Sequence, residues 1–185
     1  GSASYSVSSF GCNFKCANCQ NWDISQADNI EIAVTKLNYL APEKIVAEAL
    51  ANGCQSISYT YNEPTVWAEY ALAIMKLARR RKLKNVWVSN CFMSLDCLTS
   101  IIPYLDAINV DLKSFDDNFY KTNCQARVSP VLENLKIIKR SASHLEITTL
   151  IIPSLNDDPI MLKKIANFIF TELGAEVPWH LSKFS

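Results

Sequence analysis

Cys12, Cys16 and Cys19 are spaced C-x3-C-x2-C, so that three thiols lie within eight residues of chain. Thiolates ligate iron–sulfur clusters, and a four-iron cubane takes four ligands, one on each iron. A loop with this spacing supplies three of those ligands. If no protein group fills the fourth position, one iron is free to bind a substrate or cofactor, much as a catalytic zinc site keeps one coordination position open.

Two other interpretations of this loop compete with the cluster. Cysteines also pack as small hydrophobic residues, but Asn13, Lys15 and Asn18 make this segment polar. A zinc site with three cysteines and one histidine would take His144 or His180 as its fourth ligand. The residues alone therefore leave a zinc-stabilised or iron–sulfur-stabilised binding module as the alternative to an enzyme.

The chain has seven cysteines, an odd number, and four of them are scattered: Cys54, Cys91, Cys97 and Cys124. A secreted disulfide framework is typical of smaller, loop-rich chains with an even number of cysteines. The pattern therefore favours reduced thiols and a cytoplasmic protein. The four scattered cysteines lack the spacing of a second cluster site.

Composition and charge exclude several classes of function. Hydrophobic residues make up 49% of the 185 residues, and 18 basic residues balance 18 acidic ones. This predicts one globular domain over residues 1–185, with no electrostatic reason to bind nucleic acid or an anionic membrane. No apolar run approaches the roughly 20 residues that span a bilayer, and no signal peptide is expected. Gly1 and Ser2 resemble the remnant of an expression tag.

Short apolar runs alternate with amphipathic helical stretches along the chain. Strands are predicted at residues 5–10, 56–60, 85–89, 107–112, 145–152 and 177–181, and helices at 42–52, 64–80, 94–105, 129–141 and 159–174. Crossovers of a dozen or more residues indicate an α/β fold with parallel strands. Either an open doubly wound sheet or a partial (β/α) barrel fits this pattern. With only 4 glycines, the chain has no glycine-rich dinucleotide loop.

Polar residues follow the predicted strands at their carboxyl ends, where α/β folds place their functional groups. The cysteine loop follows the first strand, and the later strands are followed in turn by Glu63, Asn90, the pair Asp111 and Lys113, and Asn156. Because Asp111 and Lys113 alternate with Leu112, both are expected on one face of their strand. An ordinary surface ion pair is the alternative interpretation of these two charges.

The cysteine spacing after the first strand resembles that of radical S-adenosylmethionine (SAM) enzymes. Further segments resemble the radical SAM member of the AmmeMemoRadiSam system, a group similar to the pyruvate formate-lyase activating enzymes: CQNW at 19–22, YTYNEP at 59–64, NVDLK at 109–113, IIPSLND at 151–157 and WHLSKF at 179–184. Members of that group usually carry additional segments before the first strand and after the sixth. The chain is thus expected to be a trimmed core or a minimal homologue.

The resemblance implies a partial (β/α)6 barrel and a [4Fe-4S] cluster on Cys12, Cys16 and Cys19. It further implies that SAM binds the open iron and that one electron cleaves it to methionine and a 5′-deoxyadenosyl radical, which abstracts hydrogen from a substrate. The electron would come from an external low-potential donor of the flavodoxin or ferredoxin type. The substrate would be a protein or peptide, as for glycyl-radical activases.

The resemblance also assigns roles to the polar residues at the strand ends. Glu63 would accept hydrogen bonds from the SAM ammonium group, a charge-assisted contact. Its alternative role is a carboxylate at a helix N-terminus before Pro64. Cofactor contacts are also implied for seven residues: Asn62, Ser89, Asn90, Asp111, Lys113, Asn156 and His180. Asp111 or Lys113 would lie near the ribose or the substrate, and His180 would face the same cavity.

Cys91 departs from the family pattern. Cys91 stands where the family has a glycine after Ser89 and Asn90, which puts the close backbone approach of a glycine in doubt. A packed thiol is the preferred interpretation of Cys91, with thiolate ligation of the fourth iron as the alternative.

Overall fold

The computed structural model describes residues 1–26 and 39–184. Within them, six parallel strands form one sheet in the order β1-β2-β3-β4-β5-β6. Their bounds are β1 Ser4–Val7, β2 Ser56–Tyr59, β3 Lys84–Ser89, β4 Ala107–Asp111, β5 His144–Ile151 and β6 Trp179–Lys183. Because each strand pairs with its neighbour in the sequence, the sheet winds in one direction only, which excludes the doubly wound alternative.

The two faces of the sheet differ in burial. Side chains on the outer face are buried against helices, among them Ile57, Tyr59, Trp87, Val110 and Ile147. Alternate residues point to the opposite, concave face, where Ser58, Val88, Asn109 and Thr148 are only partly covered. The concave face is therefore polar and open, as the wall of a partial barrel is.

The helices lie between the strands. The α-helices are α1 Trp22–Ser25, α2 Pro42–Ala51, α3 Ala68–Arg80, α4 Leu95–Ile101, α5 Asp117–Phe119, α6 Ser129–Lys139 and α7 Pro159–Phe168. Helix α3 buries Ala71, Ile74, Met75 and Ala78, which repeat at the spacing of one helix face. None of the helices in the described ranges is long and apolar enough to cross a membrane.

The predicted helix boundaries are largely confirmed. Ser94 accepts a hydrogen bond from the Cys97 N–H at 3.2 Å and so caps α4, and Asp158 accepts one from the Ile160 N–H at 3.0 Å and caps α7. These are ordinary N-terminal caps. Helix α4 gives way to a 3₁₀ turn over Ile102–Tyr104, because Pro103 cannot continue the helical hydrogen bonds.

Several elements differ from the prediction. Strand β1 ends at Val7 rather than at residue 10. The helix predicted from Pro64 begins as a 3₁₀ turn over Pro64–Trp67 before α3. The short helix α5 and the π-helical turn Tyr120–Cys124 that continues it were not predicted. A single domain over residues 1–185 stays a prediction.

Three loops after strands contain a non-glycine residue in the left-handed backbone region. Tyr61 follows β2 with φ of 71°, Cys91 follows β3 with φ of 59°, and Ser154 follows β5 with φ of 67°. This region favours glycine, because a Cβ crowds the backbone there. The conformation of Cys91 is thus the one expected for the family glycine that it replaces.

Candidate active site

A cavity of ≈ 280 Å³ opens at the carboxyl ends of the strands. Its walls bring together ten of the eleven predicted site residues: Cys12, Cys16, Cys19, Asn62, Glu63, Ser89, Asn90, Asp111, Lys113 and Asn156. We refer to this cavity as the cleft. The polar residues gather at this edge of the sheet, as expected. What each can bind depends on the hydrogen bonds that its side chain already makes.

Asn62 joins the start of the cysteine loop to the end of β2. Its side-chain oxygen accepts hydrogen bonds from the Ser9 N–H and the Trp67 indole N–H, each at 3.2 Å. Its amide nitrogen donates to the Gly11 carbonyl at 2.9 Å. The side chain is buried and engaged with the protein itself, so Asn62 positions the loop. Its contact with SAM stays a prediction.

The Cys12 sulfur lies among hydrogen-bond donors. The Phe14 N–H donates to it at 3.3 Å, and the Asn90 side-chain amide lies at 3.8 Å. Burial raises the pKa of the Cys12 thiol to about 11, against the lowering effect of the Phe14 N–H. Binding of a metal or cluster would therefore release a proton from this residue.

Cys16 is held against the π-helical turn that follows α5. On one side of it the Lys15 N–H donates to the Cys124 carbonyl at 3.0 Å, and on the other the Ala17 N–H donates to the Asn123 carbonyl at 2.9 Å. The neighbouring Cys124 thiol and burial both raise the pKa of Cys16, and the interaction with Cys16 lowers the pKa of Cys124.

The three cysteines are of the residue type and number that a four-iron cluster with one open iron would use. All three line the cleft, and thiolates are the usual protein ligands of such clusters. Among the described residues, no three Cys, His, Asp or Glu side chains are arranged to hold one metal ion. A cubane takes its ligands on separate irons, so its cysteines need not converge on one point.

Glu63 is 3% exposed and accepts four hydrogen bonds. One carboxylate oxygen, Oε1, accepts from the Thr65 N–H at 3.0 Å, the Thr65 hydroxyl at 2.5 Å and the Ser89 hydroxyl at 2.8 Å. The other, Oε2, accepts only from the Asn90 N–H, at 2.8 Å, among the described residues. Glu63 thus caps the turn that begins at Pro64, while Oε2 retains capacity for one more donor.

Burial raises the pKa of Glu63, and the hydrogen bonds from Thr65, Ser89 and Asn90 act against that rise. A buried carboxylate without a cationic partner is costly to ionise. The free acceptor capacity of Oε2 and this cost both favour a cationic ligand in the cleft.

Cys91 lies behind the cleft wall. Its side chain is 0% exposed and is absent from the cleft lining, and burial raises its pKa. The buried amide of Asn134, on α6, donates to the carbonyls of Cys91 and Met93, each at 2.9 Å. This geometry agrees with a packed thiol and gives no support to Cys91 as a ligand.

Asp111 and Lys113 form an ion pair inside the cleft. The Lys113 ammonium lies 3.1 Å from an Asp111 carboxylate oxygen. Burial acts to lower the pKa of Lys113, but Asp111, Cys16 and Tyr120 together outweigh it, and the pKa lies above its ordinary value. Both side chains point to the same face of the sheet, as expected from their alternation with Leu112.

Asn156 ties the end of β4 to the end of β5. Its side-chain oxygen accepts from the Ile152 N–H at 2.7 Å, and its amide nitrogen donates to the carbonyls of Lys113 and Leu150 at 2.7 and 2.9 Å. With 2% exposure, the residue uses its side chain to hold backbone. Its contact with SAM is not tested by this arrangement.

His180 does not line the cleft with the other ten predicted residues. Its imidazole lies 3.2 Å from one carboxylate oxygen of Glu146, and His144 lies 3.0 Å from the other. On β6, Ser182 lines the cleft instead. The predicted contact of His180 with the SAM ribose stays a prediction.

Three residues near the cleft were not singled out in the sequence. Asn134 and Cys124 support the loops of the cleft from behind, and Ser182 lines it. Asn134 and Cys124 are far along the chain from the residues that they contact, so no local pattern points to them. For Ser182 the alternation of β6 was a signal, because residues two apart on a strand share a face and Ser182 is two residues from His180.

Residues 6–165 match the radical SAM superfamily. An uncharacterized protein of Methanocaldococcus jannaschii is 41% identical over 174 residues, covering 94% of this chain and 50% of that protein. The (2S)-3-sulfopropanediol dehydratase activating enzyme of Klebsiella oxytoca is 22% identical over 121 residues, covering 65% of this chain and 38% of that enzyme. The chain spans half the length of these relatives or less.

Solved structures share the fold. SuiB of Streptococcus suis, bound to its precursor peptide SuiA, has a TM-score of 0.75 and 14% identity, covering 98% of this chain and 39% of that chain. A domain of the pyruvate-formate lyase-activating enzyme of Bacteroides vulgatus has a TM-score of 0.57 and 19% identity, covering 68% of this chain and 75% of that domain. The predicted partial (β/α)6 barrel is confirmed.

The fold is that of an α/β partial barrel with three cysteines after its first strand. The chain belongs to the radical SAM superfamily, and the predicted resemblance to activating enzymes is confirmed. The cofactors of this superfamily are SAM and a [4Fe-4S] cluster, as predicted.

Proposed function

We propose that this chain holds a [4Fe-4S] cluster on Cys12, Cys16 and Cys19 and cleaves SAM reductively at its open iron. The main support for this proposal is that the three thiols share one cleft with a buried carboxylate, Glu63, and with an ion pair at the end of β4. When bound, the cluster and SAM supply the electron and the 5′-deoxyadenosyl radical that abstracts hydrogen from a substrate.

In this proposal the protein binds and orients the cofactors. Glu63 Oε2 accepts a hydrogen bond from the SAM ammonium group, and Ser89 and Asn90 hold that carboxylate in place. Asp111 and Lys113 lie across the cleft, where they contact the ribose or the substrate. Asn62 and Asn156 keep the loops around the cleft in register, and we retain His180 as a ribose contact that requires its release from Glu146.

We propose a protein or peptide as the substrate. Two similarities support this: one relative is named as an activating enzyme of a dehydratase, and one structural neighbour is bound to its precursor peptide. An external donor of the flavodoxin or ferredoxin type would supply the electron. Within the superfamily, the segments YTYNEP and IIPSLND support a place beside the AmmeMemoRadiSam-system enzyme. The seven free thiols favour a cytoplasmic protein.

The contacts of the two histidines weigh against the zinc alternative. His144 and His180 share the carboxylate of Glu146, and neither lines the cleft with the cysteines. A zinc site with three cysteines and one histidine would need one of them beside the cysteine loop.

The test is anaerobic reconstitution with iron and sulfide, followed by an assay for 5′-deoxyadenosine with dithionite and SAM. The wild type is expected to bind about four irons per chain and to form 5′-deoxyadenosine. SAM should perturb the electron paramagnetic resonance spectrum of the reduced cluster. A colourless protein that binds one zinc ion would refute the proposal.

Single replacement of Cys12, Cys16 or Cys19 by alanine should abolish the visible absorption of the cluster and leave most of the helix content intact. The reason is that each thiolate is one of only three protein ligands. Cys97→Ala is the matched control and should retain iron, since Cys97 lies on α4 outside the cleft lining. A Cys16→Ala variant with full iron and full activity would show that the ligand assignment is wrong.

A further inference from the structure

The cysteine loop is fixed to the segment after β3 by three hydrogen bonds that form a closed ring. Asn13, which follows Cys12, donates from its side-chain amide to the Phe92 carbonyl at 2.6 Å. The Phe92 N–H donates to the side-chain oxygen of Asn90 at 2.9 Å. The Asn90 amide nitrogen donates to the side-chain oxygen of Asn13 at 2.8 Å and closes the ring, so that two side chains join residues 77 positions apart in the chain.

This ring fixes the direction of the amide of Asn90, which is 6% exposed. Its oxygen must face the Phe92 N–H, because a flipped amide would place two donors against each other. One of its two N–H bonds is taken by Asn13. The other is directed at the Cys12 sulfur, which lies 3.8 Å from the amide nitrogen. Among the described residues, this sulfur is the one other acceptor that the amide nitrogen has.

Two N–H donors therefore face the Cys12 sulfur. The first is the main-chain N–H of Phe14 at 3.3 Å, and the second is the amide of Asn90. Phe14 is 2% exposed and packs on Phe92 with ring centroids 5.4 Å apart, so both donors belong to one packed unit. Donors in this position suit a sulfur that carries negative charge, as an iron-bound thiolate does.

The other buried asparagines of the cleft use their amides differently. Asn62 donates to the Gly11 carbonyl, and Asn156 donates to two carbonyls at the ends of β4 and β5. Those contacts hold backbone. Asn90 instead directs a donor at a cysteine side chain, and groups that contact a metal ligand orient it and tune the metal centre.

We propose that Asn90 is a positioning residue for Cys12, whose side-chain amide holds the cysteine loop in place and donates a hydrogen bond to the Cys12 sulfur that raises the reduction potential of the bound cluster. This inference rests on the proposed function, because it takes Cys12 as a cluster ligand. A hydrogen bond to a cluster sulfur stabilises the added negative charge of the reduced state. The main-chain N–H of Asn90 also donates to Glu63 at 2.8 Å. One residue thus positions a cluster ligand and the proposed acceptor of the SAM ammonium group.

Two effects are expected when the Asn90 amide is removed. Loss of a partner of a metal ligand commonly costs about 10- to 100-fold in affinity for the metal, so the cluster should be lost to a chelator faster by a similar factor. Loss of the N–H donor should lower the equilibrium constant for reduction by up to about tenfold, which is 59 mV for a one-electron couple. Tenfold is the upper bound because the contact with sulfur is long.

The experiment compares wild type with Asn90→Ala and Asn13→Ala, and Asn52→Ala is the matched control. Asn52 is exposed at the end of α2, outside the cleft lining, and donates from its amide to the Glu48 carbonyl at 2.8 Å. Each protein is reconstituted anaerobically, and far-UV circular dichroism checks its fold. The midpoint potential is measured by a redox titration followed by electron paramagnetic resonance. Cluster loss is followed as the fall in visible absorption with excess EDTA.

Asn90→Ala should have a potential lower by up to about 59 mV and should lose its cluster about 10- to 100-fold faster than wild type. Asn13→Ala should also lose its cluster faster, because the ring is broken. Its potential should stay close to that of wild type, because the Phe92 N–H still orients the Asn90 amide. Asn52→Ala should match wild type in both measurements.

Three results would overturn the inference. Equal potentials in wild type and Asn90→Ala would show that the amide does not act on the cluster. Equal falls in potential in Asn90→Ala and Asn13→Ala would assign the effect to displacement of the loop instead of the hydrogen bond. Equal rates of cluster loss in all four proteins would show that the ring does not position the loop.

If Asn90→Ala does not fold, Asn90→Asp decides. Aspartate keeps an oxygen for the Phe92 N–H but places a second oxygen where the amide nitrogen was, so the potential should fall below that of wild type. An equal or higher potential in this variant contradicts the inference. Failure of the proposed function is seen separately, as wild-type protein without a cluster or as Cys12→Ala with one.

Discussion

Glu63 combines two roles that the sequence presented as alternatives. Oε1 caps the turn at Pro64 through Thr65, and Oε2 keeps an acceptor position toward the cleft. Glu63→Gln is expected to keep the cluster but to weaken SAM binding by about 1.5–3 kcal/mol, the value of a hydrogen bond to a charged group. This corresponds to a rise of about 10- to 150-fold in the dissociation constant measured by calorimetry.

The matched control for Glu63→Gln is Glu69→Gln. Glu69 is an exposed acidic residue in the first turn of α3, so its replacement removes a similar charge close by without touching the cleft. SAM affinity should be unchanged in this control. Equal affinity in wild type and Glu63→Gln would restrict Glu63 to its capping role.

Glu63 also predicts a pH dependence of stability in the cluster-free protein. Because its pKa is raised in the folded state, the folded chain binds this proton more tightly than the unfolded chain, whose Glu pKa is about 4.3. Stability from this group therefore falls as the pH rises from that value through the raised pKa. Thermal unfolding at a series of pH values should show this trend in wild type and its loss in Glu63→Gln. The same pH dependence in both proteins would contradict it.

At the scale of elements, buried asparagine side chains join neighbouring segments by hydrogen bonds to their backbone groups. Asn156→Ala would leave three backbone groups without their partner: the Ile152 N–H and the carbonyls of Lys113 and Leu150. At about 1–3 kcal/mol for an unsatisfied buried group, the free energy of unfolding should fall by at least about 2 kcal/mol in denaturant titrations. Asn118→Ala, on the exposed side of α5, should change it little.

The sequence predicts the elements of this fold well and their ends less well. All six strands and the main helices lie where hydrophobic periodicity places them, since burial of the outer face requires that pattern. Strand β1 is shorter than predicted because the chain after Val7 turns toward Asn62, whose oxygen takes the Ser9 N–H. Segment 117–124 was missed because it is too short for a helical repeat to be visible.

The candidate site is predictable where its residues follow strands directly. Glu63, Asn90 and Lys113 reach the cleft because parallel strands end at one edge of the sheet. Cys124 was not predictable, because the hydrogen bond that its carbonyl accepts from the Lys15 N–H depends on packing between segments more than a hundred residues apart. The role of His180 depends on which group its imidazole contacts. The alternation of β6 does not decide whether that group is Glu146 or a bound ligand.

At the scale of the whole molecule, ligand binding and folding are linked. SAM that binds only the folded, cluster-loaded protein stabilises it by about 2.7 kcal/mol at a concentration of 100 times its dissociation constant. Thermal unfolding of the loaded wild type should therefore shift upward with SAM under anaerobic conditions. The shift should be absent in Cys12→Ala, which lacks the cluster. A SAM-induced shift of equal size in Cys12→Ala would show that SAM binds independently of the cluster.

The left-handed residues Tyr61, Cys91 and Ser154 have a consequence for the entropy of the whole chain. Each costs about 1–2 kcal/mol relative to glycine in that conformation, but a glycine would lose about 0.5–1 kcal/mol more backbone freedom on folding. The second effect offsets about half of the first, so the three residues together cost about 1.5–3 kcal/mol of stability. In return, three loops at the edge of the cleft are stiffer before any ligand arrives, and less ordering remains to be done when SAM binds.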